Sequence, residues 1–348
     1  MKPDLITHPP ATMAATAPTL PPAAPSPSAW KPMLPALGVL AALAAVAPVL
    51  TPYLTDLLLK VMILSIFALS LQLVVGITGL VSLGHAAFYG IGAYVTVLAS
   101  GDGGGSIATL LPLAMGGAAA YALFVGLLGL RTRGIYFIMV TLAFAQMAYF
   151  VFHDTGIGGG SGSDGIYLYV RPALGAIDLE NRRTLYFVVL AALAGTYGLL
   201  ALIRRSRFGA ALAGIRVNEQ RMRAAGFNTY LYKLAAFVIG GALAGLAGFL
   251  VASRDGVVNP EMLGWHTSGD VLLMIILGGL GSLRGAVIGA VAFTLLREVL
   301  STHGLVGPLA DHWQLTLGLA IIAFVALLPK GLIGLMDRLS PQSAKGGA

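Results

Sequence analysis

The stretch SRFGAALAGIRVNEQRMRAAGF, Ser206–Phe227, holds the densest charge chemistry in the chain. Small and apolar residues (Ala210, Ala211, Ala213, Ile215) lead into Arg216, Glu219, Arg221 and Arg223, and then into Ala224, Ala225 and Gly226. Arginines around one glutamate make directional, charge-assisted contacts. Alanines and a glycine let another backbone come close. Good helix formers fill most of the stretch and Gly226 is a natural stop, which predicts one or two short helices. Two readings are open: a solvated basic loop that only orients the chain, or a docking element. Length favours docking, because orientation needs two or three arginines and no long organised segment.

Elsewhere the chemistry is sparse. His85 stands at the start of a short apolar segment, where a hydrogen-bonded packing histidine is preferred to a proton relay. Gln72, Thr141 and Gln146 are interior polar residues of the same kind. Lys60 is expected to snorkel from the outer end of its helix. Asp56, Asp270 and Glu298 lie near the ends of apolar runs, which disfavours a carrier driven by protons or sodium through midplane acids. No nucleophile–base or metal-ligand constellation is present, so neither a catalytic nor a metal site is expected, and enzyme function is disfavoured. The glycine-rich TGIGGGSGSDGIYL, Thr155–Leu168, looks like a phosphate cradle, but no lysine follows and the G-x-x-x-x-G-K-[ST] pattern is absent from the chain.

The elements that must position these residues are membrane helices. The 348 residues are 57% hydrophobic and 10% charged, with 46 glycines and no cysteine. Apolar runs fall at 34–51, 54–75, 84–100, 108–130, 134–153, 184–203, 233–252, 269–283, 286–300 and 313–330. The fold class expected is all-α, a polytopic helical membrane protein of about ten spans, with eight and irregular pieces as the alternative. The runs 84–100, 269–283 and 286–300 are shorter than the ~20 residues that cross a bilayer, so tilted, broken or re-entrant segments are expected there. Residues 1–33 are rich in proline and read as a disordered tail. The membrane domain is then 34–332, with an inner loop at 204–232, an outer loop at 154–183 and a C-terminal tail at 333–348.

Charge sets the direction. With 204–232 inside, both termini are cytoplasmic and 15 of the 21 basic residues face inward, while 11 of the 14 acidic residues face outward. Basic residues gather on the cytoplasmic side of membrane proteins. The charge of +7 is therefore read as topology, and nucleic acid is not an expected partner.

Two glycine-rich stretches share a pattern: Gly79-Leu-Val-Ser-Leu83 and Gly279-Leu-Gly-Ser-Leu283. The match is too short to establish an internal repeat. Each stretch is read either as close helix packing through small residues or as a broken helix end lining a pathway. The candidates are Gly79, Ser82, Gly84 and His85 in the first, Gly278, Gly279 and Gly281 in the second, and Thr141 and Gln146 between them.

Five ordered segments resemble one family. They are GITGLVSLGHAAFYGIGAY (Gly76–Tyr94), RTRGIYFIMVTLAFAQM (Arg131–Met147), GGGSGSDGI (Gly158–Ile166), the region Arg205–Leu250, and LLMIILGGLGSLRGAVIGA (Leu272–Ala290). Together, over roughly residues 55–335, they are similar to the LivM-type permeases of bacterial branched-chain amino acid ABC transporters. The resemblance implies a permease subunit of the inner membrane that binds no cofactor itself. ATP and Mg would sit on two cytoplasmic ABC ATPase subunits, beside a second LivH-type permease and a periplasmic substrate-binding protein. Arg216, Asn218, Glu219, Ala224, Ala225 and Gly226 take the family's ATPase-coupling positions. Branched-chain or other hydrophobic amino acids are the implied cargo. Urea or short-chain amides are the alternative, and an ATP-independent channel or carrier is a third reading.

Overall fold

The computed structural model describes residues 38, 40, 42–45, 51–101, 104–155, 165–175, 177–302, 312–328 and 331–339. The chain divides into two units, Met1–Val39 and Leu40–Ala348, and the fold below is that of the second. The expected disordered tail at 1–33 lies outside the described residues, as does most of the first apolar run.

Helix α1 (Pro52–Leu71) runs on into a π-helical stretch, Gln72–Ile77. After it come α2 (His85–Ser100), α3 (Ile107–Gly129), α4 (Ile135–Asp154) and α5 (Arg182–Arg205). Two short helices follow, α6 (Arg207–Val217) and α7 (Glu219–Ala224), and then the long α8 (Thr229–Asp255). The chain closes with α9 (Trp265–Gly278), α10 (Leu283–Ser301), α11 (Trp313–Leu327) and α12 (Gly331–Leu339). Starts are set by side chains that accept the free backbone N–H groups of the first turn: Ser106, Asn181, Ser206, Asn218, Asn228 and Ser282 each do this.

The core is α8 packed against α1, α2 and α3. No hydrophobic force draws helices together inside lipid, so close backbone approach does that work. Gly245 of α8 backs onto Ala118 of α3, and Gly241 onto Ala122, with no room for a Cβ at either. Phe67, Phe88, Tyr89 and Phe237 fill the space between these helices. By contrast α3, α4 and α5 leave Phe124, Ile135, Tyr136, Phe150 and Leu202 exposed. That apolar outer surface is what a bilayer or a neighbouring membrane subunit covers.

Among the described residues five helices are long and apolar enough to cross a membrane alone, fewer than the ten runs predict. Two of the three segments expected to be short are short, α2 with 16 residues and α9 with 14, whereas the third, α10, extends to 19. Helix α11, with 15, is shorter than its run implied. Helices α9 and α10 bend by 116° at their junction, as a broken span or re-entrant loop does. The junction corrects two expected boundaries. The runs ending at 283 and beginning at 286 give way to a break at 279–282, and Arg284 lies inside α10. The reason is local. Gly279 and Gly281 have φ of 120° and 87°, and Ser282 restarts the helix by accepting from the Gly285 N–H. The tail expected from 333 instead begins within α12, which packs on α9 and α10.

Contacts sort to two ends. At one end Ile166–Tyr167 pairs antiparallel with Val257–Val258, Arg171 donates to the Ser253 carbonyl at 2.8 Å, Tyr53 donates to Glu298 at 2.7 Å, and Arg182 pairs with Asp56. These are all residues expected on the outer side. Residues expected on the inner side meet at the other end. The glycine-rich core of the outer loop, 156–164, lies outside the described residues.

Candidate functional site

Three pieces converge at the end where residues expected on the inner side meet: the break after the π-helix, the break between α9 and α10, and the loop carrying α6 and α7. At the first break Gly79 takes φ 81°, in the left-handed region where a side chain is strained. Ser82 is fully buried and its Oγ accepts from the Gly84 N–H at 3.2 Å. Gly84 lies so close to the Thr141 carbonyl that no Cβ fits, which places Thr141 as a packing residue whose hydroxyl donates to Ile138 O at 2.9 Å. Gly278 is pressed on Gly285 in the same way. The matching sequences around Gly79 and Gly279 thus form equivalent breaks at the same end of the molecule.

Gln72 joins the two breaks. Its side chain folds over Gly76 and its Nε2 donates to Ser282 O at 3.1 Å, reaching also towards Gly279 O at 3.4 Å. Arg216 adds the loop. Its Nη1 donates to the Gly76 carbonyl, and its side chain lies beside both Gly79 and Gly281. One arginine side chain therefore lies against both breaks, its stem beside Gly79 and its guanidinium beside Gly281. A side chain on Gly79 or Gly281 would meet Arg216 at 3.0 and 3.2 Å.

Glu219 fixes the second half of the loop. It accepts from Lys233 Nζ at 2.6 Å, from the Thr229 hydroxyl at 3.1 Å and from Arg223. Burial alone would raise its pKa, but these donors outweigh it and hold the carboxyl down at about 2. Asn218 caps α7 by accepting from the Arg221 N–H at 2.9 Å, and Met222 folds back over Gly214 to close the α6–α7 hairpin. Ala224, Ala225 and Gly226 are exposed, and Val217 between the two helices is 83% exposed. The six loop candidates thus divide: Arg216, Asn218 and Glu219 hold the loop in place, while Ala224, Ala225 and Gly226 present a surface. A cavity of about 710 Å³ lies beneath, lined by Gly79, Arg133, Arg216, Glu219, Lys233 and Leu280 among others.

His85 is fully buried deeper in the bundle. Its Nε2 lies 2.8 Å from the Ser70 hydroxyl and its ring stacks on Phe67, the packing environment expected of it. Gln146 sits apart from all of these, half-buried on a cavity of about 870 Å³ at the outer end. Sequence reasoning missed the charges nearby. Lys60 lines a smaller chamber with Arg254, Asp255, Asp270 and Arg297. The signal was there to read: Arg297 lies within the short apolar run 286–300, and charge inside a membrane segment marks function by default. Among the described residues no group of three or more His, Asp or Glu is placed to hold a metal ion.

The chain is 31% identical over 302 residues to the high-affinity branched-chain amino acid transport system permease protein LivM of Salmonella typhimurium, covering 80% of this chain and 69% of that one. Against LivM of Escherichia coli K12 the identity is 30% over the same coverage. The permease protein LivH of E. coli K12 is 30% identical over 133 residues, 38% of this chain and 41% of that one. No solved structure matches. The family described as "Branched-chain amino acid transport system / permease component" matches residues 53–326, and to that family this multi-pass membrane protein belongs.

Proposed function

We propose that the chain is the permease subunit of an ATP-driven importer of branched-chain or other hydrophobic amino acids in a bacterial inner membrane. Its companions are a second, LivH-type permease, two cytoplasmic ATPase subunits that bind ATP and Mg, and a periplasmic binding protein. Both termini and the α6–α7 hairpin face the cytoplasm, in keeping with the charge asymmetry.

The observation that most supports this reading is the hairpin itself: an exposed pair of helices pinned through Arg216 to both glycine breaks. An ATPase that moves α6–α7 moves Arg216, and with it the ends of the π-helix and of α9. Through Glu219 and Lys233 the same motion reaches α8, the centre of the bundle. Breaks without regular helix geometry are where small displacements turn into reorientation of the attached helices. The role of this chain is thus mechanical, and the hydrolytic chemistry lies on its partners.

Ala225→Trp tests it. The indole adds bulk to an exposed surface that supports nothing else in the chain, so insertion and fold should survive. Binding-protein-stimulated ATP hydrolysis in the reconstituted complex should collapse. Wild-type stimulation at equal permease content returns the hairpin to a solvated loop that marks the inside. Uptake that proceeds without the ATPases makes the chain a channel.

A further inference from the structure

The outer end of the bundle carries a second feature that the coupling mechanism does not use. The cavity of about 870 Å³ between α4, α9, α10 and α11 is within the size of small-molecule sites, roughly 300–1,000 Å³. It shares Thr267, Asp270 and Arg297 with a smaller chamber of about 190 Å³ that reaches inward to Phe67 and Tyr89. Those two rings stack at 4.6 Å, and His85 and Ser70 lie behind them. The two spaces form one recess from the outer face, closed at its floor by aromatic side chains.

Its charges balance. Lys60, Arg254 and Arg297 line the joined cavities together with Glu261, Asp255 and Asp270, and Arg254 pairs with the adjacent Asp255 at 3.0 Å. At the neck Arg297 and Asp270 stand 3.9 Å apart, too far for a hydrogen bond, with 41% and 43% of their side chains exposed. The Arg297 guanidinium lies 4.9 Å from the centre of the Trp313 ring, which holds its plane. Arg254 Nε is buried with no hydrogen-bond partner. The other walls are apolar: Leu273, Leu317 and Ile321.

An anion would want this recess positive and a cation would want it negative. An uncharged amide would leave the charges of both neck residues unanswered. A ligand with a carboxylate and an ammonium on one carbon, and an aliphatic group beyond it, satisfies both neck residues and the apolar wall together. We infer that the recess is a binding station for a zwitterionic amino acid with an aliphatic side chain. Arg297 takes the α-carboxylate in its planar fork and Asp270 the α-ammonium, while Leu273, Leu317 and Ile321 hold the side chain. The inference rests on the importer reading above and adds to it where in this subunit the cargo is read, and by which residues.

The test uses the complete complex in proteoliposomes, with L-leucine as probe. Losing one charge-assisted contact should lower leucine uptake by about tenfold or more in Arg297→Gln and in Asp270→Asn. Arg297→Lys should retain part of the uptake. Insertion and assembly of the complex should stay at wild-type level in all three, because the hairpin and breaks are untouched. A parallel fall of uptake and of assembled complex means a structural role and overturns the station. A second measurement reads occupancy without transport. The chain has no cysteine, so Gln314→Cys on the cavity rim gives a clean thiol. L-leucine should slow its labelling, while urea, 4-methylpentanoate and 3-methylbutylamine should not, and Arg297→Gln should abolish the protection. Protection by urea, or none by leucine, overturns the zwitterion reading. A wild-type complex that imports no amino acid overturns the importer reading, whereas leucine import that both charge-removing variants leave intact overturns only the station.

Discussion

Arg216 and Glu219 show how much of the loop's chemistry is spent inside the chain. Both were candidates for contact with a partner, and both are engaged by their own subunit: Arg216 by the Gly76 carbonyl, Glu219 by Lys233, Thr229 and Arg223. Arg216→Ala should leave the loop attached by its two flanking helices but disconnect it from the breaks, cutting transport while insertion remains normal. A hydrogen bond from a charged donor contributes about 1.5–3 kcal/mol, so the effect on coupling should exceed tenfold. Transport at wild-type level in Arg216→Ala would show that motion bypasses this contact. Glu219 gives a pH signature. Its folded-state pKa of about 2 lies below the ordinary 4.5, so its anchoring is fully present above pH 4.5 and is lost as pH falls from there through 2. At neutral pH Glu219→Gln should therefore lower hydrogen-exchange protection across 207–224, and wild type at pH 3 should move towards the variant. Equal protection in the two proteins at pH 7 would remove Glu219 as the anchor.

At the scale of elements the two glycine breaks are the moving parts, and glycine is there for two different reasons. Gly279 adopts φ 120°, which a side chain strains, whereas Gly84 is pressed against the Thr141 carbonyl. Gly116, on the open face of α3, meets nothing within 4 Å of where a Cβ would sit. We expect Gly84→Leu and Gly279→Leu to reduce both thermal stability and uptake, by the 1–3 kcal/mol typical of overpacking or more. Gly116→Leu should be near neutral. Thermal unfolding followed by size-exclusion chromatography, alongside uptake at matched expression, checks this, and three equal losses would mean that membrane glycines matter here without regard to place. The repeat of Gly-Leu-x-Ser-Leu was visible in the sequence, yet its meaning was not. Only packing shows that both copies end helices at one face and that Gln72 and Arg216 bridge them. The π-helix had no signature in the sequence, because it depends on Gln72 folding over Gly76 to reach a segment more than two hundred residues away.

For the whole molecule, the alternation of sides predicted by charge is coherent with the contacts. Outer residues meet outer residues across α1, α5, α8 and α10, and inner ones meet around Arg216. Which end faces the cytoplasm rests on the charge asymmetry and can be measured directly. Cysteines at Tyr169 and Thr302 should react with an impermeant thiol reagent added outside sealed cells, and those at Ser206 and Ala225 should react only after permeabilisation. Labelling of Ser206→Cys from outside would invert the assignment.

The sequence by itself determined that the chain is a bundle of apolar helices, where most of them run, and where the charged hairpin α6–α7 must lie. These are local properties: apolar run length, capping side chains and the sorting of arginines act within one segment and leave their trace in its composition. The tertiary structure alone decided that α9 and α10 form a bent pair, that α1 and α8 sit at the centre while α3, α4 and α5 carry the outer surface, and that Lys60, Arg254, Asp255, Asp270 and Arg297 face one recess. In a sequence this apolar every helix can be buried or exposed to lipid without a change of residue type, so hydrophobicity cannot tell centre from rim. Close packing between small residues makes that choice, and it exists only when distant segments meet.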